Sequence, residues 1–290
     1  MTVSTNGSAE FAPSLRAGTA LAFPPLSFAA RRRRVTGVVL RDLAALRRSP
    51  VRVFEIIFWP VVELVVWGYV TLFLESQKVP FVVSMLLGAV LLWQVLHRAS
   101  NEVAIGFLED IWSRNLLNMH VTPVTPPEYM TGLVLFSLTK IAAGITAMAL
   151  LAYVIYGFGL LTVGIGLVPF MALLMIMGWA LAFVAISCVL RFGEGAQVLA
   201  WSLVFVFQPL AGVFYPVSVL PQPLQYIAAF VPATHVFEGM RAVLNGGAIP
   251  WDRMAFAGVL DVVYVALALW LYAVTLRHAR AKGRLSRFGE

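Results

Sequence analysis

The stretch FYPVSVLPQPLQYIAAFVP, Phe214–Pro232, is as apolar as a membrane span but contains four prolines. Proline lacks a backbone N–H, and in lipid every backbone polar group must be satisfied within the protein. The stretch is too short and too often interrupted to cross a bilayer twice as regular helices, yet too apolar to float in water. We therefore predict a re-entrant segment that dips into one leaflet and is buried against neighbouring spans.

The remainder of the chain has the composition of a membrane protein. Of its 290 residues, 60% are hydrophobic and 12% are charged, which is more apolar surface than one soluble core could bury. Six apolar runs have the length of a transmembrane helix, namely 53–74, 80–97, 129–156, 160–190, 196–215 and 254–276. We therefore predict an all-α polytopic membrane protein with six transmembrane helices.

Basic residues flank this apolar region on both sides. They are Arg31 to Arg34, Arg41, Arg47, Arg48 and Arg52 before it, and Arg277, Arg280, Lys282, Arg284 and Arg287 after it. Because cytoplasmic loops are enriched in lysine and arginine, both termini are expected to be cytoplasmic and the re-entrant segment to be extracellular. This topology accounts for the net charge of +7 without nucleic acid as a partner.

The N-terminal part divides into a tail and a helix. Residues 1–27 lack helical periodicity and a signal-peptide pattern, and we expect a flexible cytoplasmic tail. Residues 28–50 are expected to form an interfacial amphipathic helix whose arginines face anionic lipid; a solvated basic segment is the alternative. Its apolar positions are Val35, Val39, Leu43 and Leu46, and on another face Arg34, Arg41 and Arg48 repeat every seven residues. The six-span domain then covers 51–277, and 278–290 form a basic cytoplasmic tail.

The loop between the second and third spans predicts a short amphipathic helix, Leu108–Met119. Its apolar stripe consists of Leu108, Ile111, Trp112, Leu116 and Met119, and its polar side chains are Glu109, Asp110, Ser113, Arg114 and Asn118. Thr122 and Pro123 end it. Thr125, two prolines and Glu128 then form a capping-box pattern that starts the third span. A cytoplasmic motor could push on such a helix; the alternative is a loop helix packed on its own bundle.

Two segments resemble the ABC-2-type permease family, the membrane subunits of ATP-binding-cassette exporters for polysaccharides, glycolipids, teichoic acids and some drugs. The loop helix closing in TPVTPPEY, Thr122–Tyr129, is similar to the family's coupling helix and the T-P-V-S-x-x-E that follows it. The opening stretch is similar to the family's proline pattern after the fifth span. The matching positions are Pro216, Leu220, Pro221, Leu224 and Pro232, followed by Glu238 and Arg241.

This resemblance implies a route made of two six-span halves in the inner (plasma) membrane, the second being an identical or paralogous permease. Each half would rest on a separate nucleotide-binding subunit that holds ATP and Mg²⁺, and re-entrant helices would close the exit. The implied coupling residues are Glu109, Asp110, Trp112, Arg114, Thr122, Pro123 and Glu128. The implied gate residues are Tyr215, Pro216, Leu220, Pro221, Leu224, Pro232, Glu238 and Arg241.

Three ionisable residues lie within the apolar runs: Glu63, Lys140 and Asp261. Each costs roughly 2.5 to 3.5 kcal/mol at the bilayer centre, so each should face protein or water. Glu63 and Lys140 lie at similar depths, and we expect them either to form a structural ion pair or to line the route. Asp261 lies nearer the surface and is expected to reach outer-leaflet water.

Other functional classes find less support in the sequence. No GxxxxGK[ST] motif occurs, so no nucleotide cofactor is expected in this chain. Cys188 and the four scattered histidines predict no metal site. An ion-coupled secondary transporter should show internal repeats, and an intramembrane enzyme should show a polar catalytic cluster. We see neither, so an export permease without catalytic residues is the leading hypothesis.

Overall fold

The computed structural model describes residues 27–77, 82–113, 115, 122–157 and 167–281. In these ranges the chain is helical and contains no β-strand, which confirms the expected all-α class for this part of the protein. The helices are α1 (Phe28–Arg47), α2 (Pro50–Ser76), α3 (Val82–Trp112), α4 (Pro126–Tyr156), α5 (Leu167–Phe192), α6 (Val198–Leu210), α7 (Gln222–Ala228), α8 (Pro232–Leu244) and α9 (Trp251–Ala281). Single 3₁₀ turns lie at Glu194–Ala196 and Val217–Val219.

Four of these helices are long and apolar enough to cross a membrane: α2, α4, α5 and α9. They correspond to the first, third, fourth and sixth predicted spans. The pair α7 and α8 passes the same test only if counted together, and it is bent by 97°. At 13 residues, α6 is about 20 Å long, shorter than the roughly 30 Å of a bilayer core. The described residues thus contain four or five candidate spans, and six stays a prediction.

The helix α3 is longer than its apolar run predicts. It continues through the polar residues after His97 and ends at Trp112 without a break. The prediction of a separate helix starting at Leu108 is therefore wrong, because Leu108–Trp112 form the last turns of α3. The end of that predicted helix, 116–119, lies outside the described residues, as do the tails 1–26 and 282–290.

The core of the bundle forms where α3 and α9 both pack on α5. Large side chains that are almost fully buried fill it, among them Trp93, Leu96, Phe170, Leu174, Met177 and Phe237. Helix α1 lies across α4, and the buried Val38 contacts Gly132: a Cβ added to Gly132 would lie 2.5 Å from Val38 Cγ1. The helix α1 is thus packed on protein along part of one face.

Candidate functional site

The last turns of α3 are held to α1 and α4 by Asp110. Its carboxylate accepts hydrogen bonds from Arg41 Nη2 at 2.9 Å, from the Tyr129 hydroxyl at 2.6 Å and from Asn115 Nδ2 at 2.9 Å. Only 7% of Asp110 is exposed. The expectation that Asp110 faces a partner protein is therefore wrong: its charge is used inside the chain, where a carboxylate needs compensating donors.

Two other predicted coupling residues, Glu109 and Trp112, are accessible at this end of α3. Glu109 forms an ion pair with Arg52 at 3.1 Å in which both side chains are partly exposed. Trp112 is 49% exposed, and its ring nitrogen donates to Gln197 Oε1 at 3.2 Å. Arg114 lies outside the described residues. Glu109 and Trp112 thus form an exposed end face on α3.

The start of α4 is fixed by a cap and by an arginine from α1. Glu128 Oε2 accepts the Thr125 N–H at 2.9 Å, as the capping pattern predicts. Arg34 lies 3.3 Å from the other carboxylate oxygen of Glu128 and donates to the carbonyl of Pro123. Thr122 and Pro123 are exposed. The segment that leads into α4 thus has an accessible surface, while the first turn of α4 is held in place by Arg34 and the cap.

These contacts correct the predicted orientation of the α1 arginines. Arg34 and Arg41 were expected to face anionic lipid, but both point towards carboxylates of the bundle. Arg48 is exposed and remains available to lipid. Next to Arg41, burial raises the pKa of Asp42, and the attraction of the guanidinium opposes that rise.

The expected ion pair between Glu63 and Lys140 is not formed. Lys140 Nζ lies 2.7 Å from Glu102 Oε2, and Glu63 instead accepts a hydrogen bond from the amide of Gln94. Glu102 also pairs with Arg98 at 3.2 Å. Helix α3 thus supplies Gln94 as the partner of Glu63 on α2 and Glu102 as the partner of Lys140 on α4. Each of the two charged side chains has a polar partner without contacting the other.

A cavity of about 810 Å³ runs along this polar row between α1, α2, α3 and α4. Its charged and polar lining comprises Arg41, Asp42, Arg52, Glu55, Glu63, Gln94, His97, Arg98, Asn101, Glu102, Glu109, Asp110, Ser113, Asn115 and Lys140. The cavity therefore places Glu63 and Lys140, two of the three predicted intramembrane charges, in one compartment with the predicted coupling residues Glu109 and Asp110.

The predicted gate is organised by two residues of α8. Arg241, only 5% exposed, donates to the carbonyls of Tyr215 at 2.7 Å and Val213 at 3.2 Å, and also to that of Gly212. It pairs with Glu238 at 3.1 Å. A buried guanidinium with several donors can satisfy carbonyls that have left a regular helix.

Glu238 also contacts the loop it faces, because its carboxylate accepts the Val217 N–H at 3.0 Å. The prolines of the stretch mark its helix starts: Pro216 precedes the 3₁₀ turn, Pro221 precedes α7 and Pro232 begins α8. The Tyr215 hydroxyl donates to Pro209 at 3.0 Å and Gln225 donates to Leu220 at 2.7 Å. Leu224 is 37% exposed on α7.

The third predicted intramembrane charge, Asp261, lies apart from both groups. It is 1% exposed, so the expectation that it reaches outer-leaflet water is wrong. Neither carboxylate oxygen has a hydrogen-bond partner among the described residues.

A family model for ABC-2 type transporters matches residues 36–245, which is well over half of the chain. The chain belongs to the ABC-2 type transporter family. The matched region includes the end of α3, the capped start of α4 and the pair Glu238 and Arg241. No curated protein matches the chain.

Three polar residues on α3 that line this cavity in the ABC-2 type transporter were missed from sequence. Gln94 lies inside the second apolar run, and Arg98 and Glu102 follow it in what was expected to be loop. Their spacing of four places them on one face of a continuous helix. That spacing was the available signal.

Proposed function

We propose that this chain is the permease subunit of an ATP-binding-cassette exporter, driven by ATP hydrolysis in a separate subunit that holds ATP and Mg²⁺. The observation that carries the proposal is the end of α3. There Asp110 ties the helix to α1 and α4, while beside it Trp112 is exposed and Glu109 is partly exposed. A force applied at this end face would therefore reach three helices at once.

The chain would form half of the route, together with an identical or paralogous second permease, for a glycan, a glycolipid or an amphipathic small molecule. We place it in the inner (plasma) membrane with six spans and both termini cytoplasmic, and with α1 at the cytoplasmic interface. The exposed arginines of α1, among them Arg31, Arg32, Arg47 and Arg48, support contact with anionic lipid. The bent pair α7 and α8 would be the re-entrant gate.

The coupling role is tested on the complex that the chain forms with its ATPase in native membranes. We expect Glu109→Lys and Trp112→Ala to reduce ATPase co-purification or to abolish substrate-stimulated ATP hydrolysis, with normal membrane insertion. Glu75→Lys, an exposed glutamate at the other end of α2, is the matched control. Unchanged transport and co-purification in both end-face variants would refute the coupling role.

The topology is tested with a membrane-impermeant maleimide in a Cys188→Ala background. Gln222→Cys should react only from outside the cell and Arg48→Cys only from inside, since both side chains are exposed. Labelling of Gln222→Cys from the cytoplasmic side alone would overturn the orientation.

A further inference from the structure

The cavity between α1 and α4 has the size of a small-molecule binding site. Its volume of about 810 Å³ falls in the range of roughly 300–1,000 Å³ that is usual for ligand pockets. Charged side chains of α1, α2, α3 and α4 share its walls with apolar ones such as Ile56 and Val62. A compartment of this kind suits an amphipathic molecule rather than an ion alone.

The charges on the described part of the lining are unequal. Six carboxylates face four cationic side chains, which leaves an excess of two negative charges. All four cations are already engaged: Arg98 and Lys140 with Glu102, Arg41 with Asp110, and Arg52 with Glu109. Glu63 and Glu55, by contrast, have no ion-pair partner among the described residues. A cationic ligand would supply the missing positive charge, and the effect is large where water is scarce.

The same walls carry the rings of Trp59 and Phe136. The Phe136 ring already has the Lys140 ammonium 5.0 Å from its centroid, so the Trp59 ring is the one of the two that a ligand cation would contact. Trp59 belongs to α2, as do Glu55 and Glu63, and it is 65% exposed. Aromatic faces attract organic cations through the ring quadrupole, with tryptophan the strongest. The two carboxylates and the one indole ring that α2 contributes to the lining are therefore complementary to a cation with an apolar body.

Three buried polar atoms on the lining complete the pattern. Arg98 is 7% exposed, and its Nε has no hydrogen-bond partner among the described residues; the same is true of Asn101 Oδ1 and Asp42 Oδ2. Unpaired buried polar groups cost free energy. A ligand that carries both a donor and an oxygen acceptor would recover it.

We propose that this cavity binds amphipathic organic cations, with hydrogen-bonding groups on the cation adding to the affinity, and that such cations are the substrate class of this permease. The assignment of such cations as the substrate class rests on the proposed function. Binding of a cation to the cavity is a property of the chain alone and can be measured without an ATPase.

The test uses the full-length chain in lipid nanodiscs and two ions of matched size and opposite charge, tetraphenylphosphonium and tetraphenylborate. Equilibrium dialysis against empty nanodiscs removes the contribution of lipid. We expect saturable binding of the cation at about one per chain and no saturable binding of the anion. Glu63→Gln should weaken cation binding about tenfold, and Glu55→Gln, at an exposed position, about threefold. Glu75→Gln, on the same helix but outside the lining, should not.

Equal binding of the two ions, or unchanged affinity in both lining variants, would overturn the site. If Glu63→Gln fails to fold, Glu55→Gln decides alone, because Glu55 is exposed and makes no described ion pair. Cation binding as expected in a complex that does not export would refute the proposed function but leave the site intact. Anion-selective binding would refute the site whether or not the complex exports.

Discussion

The ammonium of Lys140 on α4 lies 2.7 Å from the carboxylate of Glu102 on α3. The same carboxylate is 3.2 Å from Arg98, whose guanidinium also donates to the carbonyl of Ile56 on α2. One acidic side chain thus compensates two cations at the contact of three helices. The arrangement explains how α3 carries charges within the bundle without exposing them to lipid.

Removing either member of this pair should be costly. Glu102→Gln should lower the free energy of unfolding in mixed micelles by about 3 kcal/mol, because it leaves the buried charges of Lys140 and Arg98 without their carboxylate. Lys140→Met should cost less, because Glu102 keeps its pair with Arg98. The double variant should lose much less than the sum of the two. The cycle between Lys140→Met and Glu63→Gln serves as the control and should be close to additive. Strong coupling between Lys140 and Glu63 would contradict the observed pairing.

Replacing Asp110 or Glu109, the adjacent acidic residues at the end of α3, by alanine should lower the free energy of unfolding by different amounts. Asp110→Ala should lower the free energy of unfolding by about 2–4 kcal/mol, since the Tyr129 hydroxyl and the Asn115 amide lose their acceptor and Arg41 loses one of its two carboxylate partners. Glu109→Ala removes a partly exposed pair with Arg52 and should cost less than about 1 kcal/mol. Thermal unfolding of the purified variants measures both. Equal losses would show that Asp110 is not an internal anchor.

The contact between α1 and α4 leaves no room for a larger side chain at Gly132. Gly132→Ala should destabilise the protein by about 1–3 kcal/mol through overpacking against Val38, and adding Val38→Ala should restore most of the loss. Gly37→Ala on α1 has open space around the new methyl group, so it should be neutral or stabilising by up to about 1 kcal/mol. Failure of Val38→Ala to rescue Gly132→Ala would contradict the close approach.

Arg241 should not be replaceable by lysine. Lysine can keep the charge opposite Glu238 but lacks the planar set of donors that reaches several carbonyls, so Arg241→Lys should lower the free energy of unfolding by about 2–3 kcal/mol. The loop should also become cleavable by protease near Gly212. Arg253→Lys, at an exposed position, is the matched control and should behave as wild type. Full resistance in Arg241→Lys would refute the anchoring role.

The sequence predicted the features that depend on local chemistry. Thr125, the two prolines after it and Glu128 mark the start of α4, because capping acts within one turn. Four of the long apolar runs coincide with helices that could cross a membrane. The prolines at 216, 221 and 232 each stand at the start of a helical element, where the missing N–H removes no intrahelical hydrogen bond.

The sequence failed where tertiary contacts decide the outcome. Hydropathy shows where a chain stops being apolar, not where its helix ends, so α3 was predicted to stop near His97. Its polar continuation is stable because Arg98, Glu102 and Asp110 find partners on other helices. The partners of Glu63 and Lys140 could not be predicted from sequence either. The two residues lie at matched depths, but depth alone does not show that side chains of α3 lie between them.

During translation, Arg241 is synthesised after the loop Gly212–Tyr215, whose carbonyls it binds. The carbonyl of Tyr215 precedes it by 26 residues, and a ribosome adding roughly 5–20 residues per second needs between about one and five seconds for that interval. During this time the loop carbonyls lack their guanidinium partner. We therefore expect the loop to become ordered only once α8 has been inserted beside it, before α9 closes the bundle.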